Sequence, residues 1–207
     1  MLRASPALPL VILAVALSGC GESGGADEEA AVKETIVAAA MTRDPADCER
    51  LHTRDLLERM AFGFEGERAV QACEEIVMDE GVEAPREVTV SGLRVGDGEA
   101  TAEASFAGSS LDGQTIAISL VEEGGRWKID RLVEFVEFDR ARLLERMKRA
   151  AREVDDPFEA KVAPCMAERV AGLNDEELQD IVLYNDPEGT WDIALDCLRE
   201  VENKQTL

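Results

Sequence analysis

The chain has 207 residues, with 22 Lys+Arg against 44 Asp+Glu and a formal net charge of -22 at pH 7. An acid excess of that size argues against binding nucleic acid and against lying flat on anionic lipid, because both need a basic surface. Its ordinary meaning is solubility, and the length suits one domain with a small addition.

The first residues read as a processing signal. Arg3 is followed by a short apolar run, Leu8–Leu17. A permanent membrane span needs about 20 apolar residues, so this run is too short to be one. It ends in Leu17-Ser18-Gly19-Cys20, which resembles a bacterial lipobox. In that motif a diacylglycerol is attached to the cysteine and the chain is cut before it. The plainer alternative is a secretory signal with a chance cysteine. Residues 1–19 are read as a lipoprotein signal peptide, and 20–26 as the lipidated Cys20 and a flexible Gly/Ser tether. Lipidation of this kind supplies more than one acyl chain, so the anchor is stable. The expected location is the extracytoplasmic face of the cell membrane.

From Asp27 the pattern is helical, with Val32, Ile36 and Ala40 four residues apart. Asp44-Pro45 reads as an N-cap and a first-turn proline, opening a short turn that carries Cys48. Thr53 is placed to cap a helix whose apolar side is Leu56, Leu57 and Met60. Gly63 and Gly66 break it, and a further helix runs from about Glu67 to Met78 with Val70, Cys73 and Val77 on one side. Pro85 ends that run.

Val88 to Phe138 reads as four strands of one antiparallel sheet. Val88 and Val90 share one parity, Leu93 and Val95 the other, which places a bulge at Gly92. Gly96-Asp97-Gly98 turns the chain. Ala100, Ala102, Ala104 and Phe106 alternate with polar residues, as do Ile116, Ile118 and Leu120 after a Gly/Ser/Asp loop. Gly124-Gly125 leads into the last strand, where Trp127, Ile129, Val133 and Phe135 share a parity. If those four face the core, Asp130 faces solvent. If the other face is concave, Asp130 and Glu134 line a pocket. Helices followed by antiparallel strands make the fold class α+β, with N-terminal helices packed on a curved sheet.

Asp47-Cys48, Leu51-His52-Thr53, Ala72-Cys73, the Ala100–Phe106 strand and above all the stretch from Leu120 to Asp130, with its Gly-Arg-Trp-Lys-Ile-Asp strand start, carry a family likeness. They resemble an NTF2-like (cystatin-like α+β) domain, and more narrowly its lipid-anchored versions in high-GC Gram-positive bacteria. The resemblance covers residues 27–138. It implies a cone with a pocket between the helices and the concave sheet. It implies no single activity, since members bind ligands, isomerise, dehydrate or do no chemistry.

Beyond Phe138 the pattern is all helical, and 139–207 reads as a C-terminal helical region. Asp139 can cap a helix with Leu143, Leu144, Met147 and Ala151 inside; it also carries Arg140, Arg142, Arg146, Lys148, Arg149 and Arg152. On so acidic a chain, such a run is expected to be an exposed face paired with neighbouring carboxylates. Asp155-Asp156-Pro157 marks a break before a helix bearing Phe158, Val162, Cys165 and Met166, with Gly172 at its end. Asn174 and Glu177 have capping-box spacing, and Pro187 opens a last helix with Trp191, Ala194, Leu198 and Val201 aligned. The stripe of Trp191, Leu195 and Leu198 is expected to be core. The stretch from Asp155 onward reads as a small appendage, too thin to hold without a bridge.

With Cys20 assigned to lipid, Cys48, Cys73, Cys165 and Cys197 remain, an even number for an oxidising compartment. Of the possible pairings, Cys48–Cys73 and Cys165–Cys197 are favoured because each falls inside one expected unit. Each closed loop is worth about 3 kcal/mol in the chain-entropy model.

Candidates for chemistry are few. Superfamily enzymes that isomerise or dehydrate pair an aspartate with a tyrosine, or a histidine with an aspartate, to move protons. Here Tyr184, the one tyrosine, lies outside the matched region, and His52 is the one histidine. His52 and Asp130 are therefore weak catalytic candidates, and an exposed or capping histidine is the plainer reading of His52. There is no GxSxG elbow, phosphate loop, dinucleotide fingerprint or CxxC spacing, so no cofactor and no metal is expected. The preferred expectation is a non-catalytic, membrane-tethered lipoprotein that binds a small apolar ligand or a protein partner. The alternatives are an isomerase- or dehydratase-type enzyme using a pocket carboxylate or His52, and a structural cell-envelope protein whose cone is filled by its own side chains.

Overall fold

The computed structural model describes residues 23–61, 64–79, 83–154 and 159–205. Cys20 with its signal, the break at Gly63 and the break from Asp155 to Phe158 lie outside the described residues. The first helix, α1 (Ser23–Met41), starts earlier than expected. It takes in residues 23–26, where a flexible tether was expected, despite a penalty of about 1 kcal/mol for each helical glycine. The long helix behind, nailed to the core by Val32 and Ile36, carries that first turn.

Three shorter helices follow: α2 (Asp47–Leu51), α3 (Arg54–Met60) and α4 (Glu67–Met78). Thr53 caps α3 by accepting from the Leu56 N–H at 3.2 Å, as its position before an apolar run requires. The Cys48–Cys73 disulfide ties α2 to α4. It sits in its own apolar cluster with Leu57, Ala61 and Ala69.

The sheet has four strands: β1 (Glu87–Gly96), β2 (Glu99–Ala107), β3 (Thr115–Glu123) and β4 (Arg126–Glu137). They are paired in chain order, all antiparallel. The β1–β2 and β3–β4 turns have two residues each, with positive φ at Asp97, Gly98, Gly124 and Gly125. That is the turn whose twist matches the flanking strands. The alternation on β2 and β3 holds. Ala100, Ala102 and Ala104 stand directly beside Leu120, Ile118 and Ile116, and all six are buried.

The edge strands are irregular. β1 shifts register between Ser91 and Arg94, around Gly92 with φ 60. β4 shifts three times, so Asp130, Val133 and Val136 are passed over in its pairing with β3. Each extra residue bends the strand and moves its parity. The inward set is consequently Trp127, Ile129, Leu132 and Phe135. Val133, expected inside, is 42% exposed, and Leu132 holds its place. α1 packs on β1 and on β4, the two edges, so the sheet wraps around it.

The C-terminal helices are α5 (Arg140–Ala150), α6 (Glu159–Gly172), α7 (Asp175–Val182) and α8 (Pro187–Gln205). Asp139 caps α5, and Asn174 with Glu177 forms a reciprocal capping box on α7. The Cys165–Cys197 disulfide joins α6 to α8. Trp191, expected in the core, is 47% exposed. On α8 the inward pair is Ile193, packed on the neighbouring cluster, and Cys197, which is fully buried. Trp191 is two positions from Ile193, about 200° around a helix, and so points away. The C-terminal region is also more than an attachment, since Leu183 is a buried member of the central cluster.

One polar joint holds α5 to the sheet. The Asp112 carboxylate, 8% exposed, accepts from the Gly108 N–H at 2.8 Å. It also receives Arg142 at 2.6 Å and Arg146 at 2.8 Å. Gly113, at φ 79, leaves room for this: a Cβ there would lie 2.8 Å from the Arg142 side chain. Beside it Gln114 donates to the Asp139 carbonyl and accepts from the Asp139 N–H, imitating a strand pair. The Gly108 N–H and the two guanidinium groups hold the Asp112 carboxyl well below the usual carboxylate range. A carboxyl held low stabilises the fold above its unfolded value of about 3.9, and that stabilisation is lost as the pH falls below it. Asp112→Asn should therefore flatten the acid limb of the stability profile. Urea midpoints measured between about pH 5 and pH 2 would fall less steeply in the variant than in the parent.

Candidate functional site, an apolar groove under the first helix

The groove forms where α1 and α3 fail to fill the concave side of the sheet. Ile36, Ala39 and Ala40 come from α1, and Leu56 and Met60 from α3. Phe106, Ile118, Ile129 and Leu132 form its floor, and His52 closes one side. Its volume is about 130 Å³. Two alanines on α1 make the space, because larger side chains at those positions would occupy it.

Backbone geometry places His52. It is the C-cap of α2, in extended conformation at φ -123 and ψ 149. That extended step lets His52 pair with Ile129 as a parallel bridge, and the Thr53 N–H donates to the Ile129 carbonyl at 2.9 Å. The ring itself turns back on its own helix. Nδ1 lies 3.2 Å from the Cys48 carbonyl oxygen. A carbonyl oxygen only accepts, so Nδ1 carries the proton in the neutral ring. Burial pushes the His52 imidazolium pKa down, and the Cys48 and Asp47 carbonyls with the Asp47 carboxylate oppose this only in part.

Asp47, also on α2, acts on the ring through its charge. Burial alone would raise its carboxyl, but the Thr42 hydroxyl and the Arg50 guanidinium outweigh burial and hold it below the ordinary value. Asp130 is elsewhere. It is the first passed-over residue of β4, and Oδ1 accepts from the Thr53 hydroxyl at 3.2 Å. It does not line the groove, and Glu134 is exposed. The two catalytic candidates are thus separated in role: His52 borders the groove and Asp130 braces the loop that positions it.

A groove of about 420 Å³ between α6 and α8 is bordered by Lys161, Glu168, Arg169 and Glu200. Pro164, Cys165 and Val201 complete its wall, and Arg169 and Glu200 already face each other at 3.6 Å. Among the described residues no cluster of three or more His, Cys, Asp or Glu could hold a metal ion. No helix among them is long and apolar enough to cross a membrane.

Sequence reasoning found His52, Ile36, Ala40, Leu56, Met60 and the inward faces of β2 and β3. It missed Leu132, because a strict two-residue period cannot anticipate three bulges. A run of β-branched and large residues around Leu132–Val136 without clean alternation is the available signal. Comparison with known proteins finds no matching family model, no matching curated protein and no matching solved structure.

A histidine whose folded pKa is lowered stabilises the protein above the unfolded value of about 6.5, and this is lost as the pH falls through the folded value. Replacing His52 by Leu should remove that slope. Thermal midpoints of the parent would drop between about pH 7 and pH 5, and those of the variant would change less over that window.

Proposed function

We propose that this protein is a non-catalytic module that binds a small apolar molecule in the groove beneath α1. It is held at the extracytoplasmic face of the membrane by lipid on Cys20. The observation that carries this is the groove itself: nine of its ten bordering residues are apolar, and the tenth is a histidine favoured in its neutral form. Its volume, about 130 Å³, decides the size of the guest. Pockets for drug-sized ligands run to about 300–1,000 Å³, whereas a dry cavity of about 150 Å³ accepts benzene. A guest the size of one aromatic ring or a short branched chain is the fit. The lack of a carboxylate beside His52 on the groove wall favours binding over proton transfer. Two disulfides agree with an oxidising compartment, where such bridges persist. The sheet that bends around α1 is consistent with an NTF2-like cone.

Burying a ring of about 150 Å² at about 25 cal/mol per Å² gives about 4 kcal/mol, a Kd on the order of 1 mM. Toluene should show saturable binding of that strength by saturation-transfer NMR. Ala39→Leu, which extends a side chain into the groove, should weaken it about tenfold with little change in the unfolding midpoint. A parent protein indifferent to toluene would overturn the groove as a ligand site.

The anchor has its own check. Expressed in a bacterium with an intact lipoprotein pathway, the parent should incorporate radiolabelled palmitate and fractionate with membranes. Cys20→Ala should incorporate no palmitate. Equal labelling of both would overturn lipidation at Cys20.

A further inference from the structure

The groove has one polar feature among its bordering side chains. His52 is the sole bordering residue with a side-chain nitrogen or oxygen. Its Nδ1 is committed to the Cys48 carbonyl at 3.2 Å, which leaves Nε2 as a lone-pair acceptor. No hydrogen bond is made to Nε2 among the described residues, and no buried side-chain nitrogen or oxygen among them is left sealed without a partner. Nε2 is therefore open to whatever occupies its side of the ring.

The acceptor is also held in place. Cys48 is fully buried and bridged to Cys73, so the carbonyl that orients the ring belongs to a cross-linked turn. The backbone of His52 is pinned from the other side by Ile129. Turning the imidazole to offer Nδ1–H to a guest would break its bond to the Cys48 carbonyl.

We infer that the groove selects small apolar molecules bearing a single hydroxyl, with His52 Nε2 accepting the hydroxyl proton in a hydrogen bond. This rests on the groove being a ligand site and adds the chemical class of the ligand. A plain hydrocarbon fills the apolar space but leaves Nε2 unmatched. A carboxylate brings a charge and no donor, and the apolar wall disfavours it. A phenol or a short branched alcohol satisfies both halves of the site. A hydrogen bond formed in place of one to water adds a modest gain, about three- to tenfold in affinity.

Benzene, phenol and benzoate are the probes, titrated at about pH 8 into the full-length chain, with Cys20→Ala preventing lipidation. Phenol should bind about three- to tenfold tighter than benzene, and benzoate should not bind. His52→Phe should keep benzene and lose the preference for phenol, while His52→Gln, which restores an acceptor, should regain part of it. Should His52→Phe not fold, the nitrogen-15 signal of Nε2 in the parent decides the matter. It should shift upfield on adding phenol and stay still on adding benzene. Failure of both benzene and phenol to bind would sink the groove reading as well. Benzene binding with no advantage for phenol, or a phenol advantage that survives His52→Phe, would overturn this inference alone.

Discussion

The step from His52 to Thr53 is the joint on which the groove depends. Here α2 ends, the chain runs extended for one pairing with Ile129, and α3 begins at a threonine cap. Three needs meet in two residues. One helix must stop, the carbonyl of a strand edge must find a donor, and the next helix must be capped. Thr53 meets two of them at once: its N–H donates to the Ile129 carbonyl, and its hydroxyl accepts from Leu56 while donating to Asp130. The Cys48–Cys73 bridge braces the same turn from behind. With the backbone so constrained, the contact of Nδ1 with the Cys48 carbonyl sets the direction of the imidazole.

The curvature that opens the groove comes from β4. A strand pairing residue for residue would lie along β3 with every second side chain inward. Passing over Asp130, Val133 and Val136 bends it away from that plane. Val133 and Val136 pay no packing role and are turned outward, while Leu132 and Phe135 reach the core. The bend lets the sheet wrap around α1 and leaves space over the alanines of that helix.

An acidic chain with few cations uses several of them internally. Arg142 and Arg146 converge on the buried Asp112. Arg140 donates to the carbonyls of Ala171 and Leu173 and pairs with Asp175, so it closes the C-terminal end of α6. Carbonyls at a helix C-terminus have no helical partners and carry partial negative charge, which a guanidinium satisfies. Gly172, expected at the end of this helix, does end it, and the arginine caps the carbonyls there. The basic stretch of α5 is in this way a set of fasteners between the sheet, α6 and α7. Leu183 adds an apolar tie from the C-terminal region to the central cluster.

Local chemistry alone was enough for the α+β order, the helix caps at Thr53, Asp139 and Asn174, the places of the two glycine turns, the bulge at Gly92 and the inward faces of β2 and β3. Each of these follows from residues a few positions apart, where period, φ preference and side-chain hydrogen bonds act directly. The same local reading singled out His52 but not what it does. The inward set of β4, the outward turn of Trp191, the place of Asp130 beside Thr53 and the joining of Leu183 to the core were decided only by tertiary structure. Their physical reason is common to all: a bulge, a helix's azimuth and a contact across many residues depend on what packs opposite, and no window of neighbouring residues contains that partner.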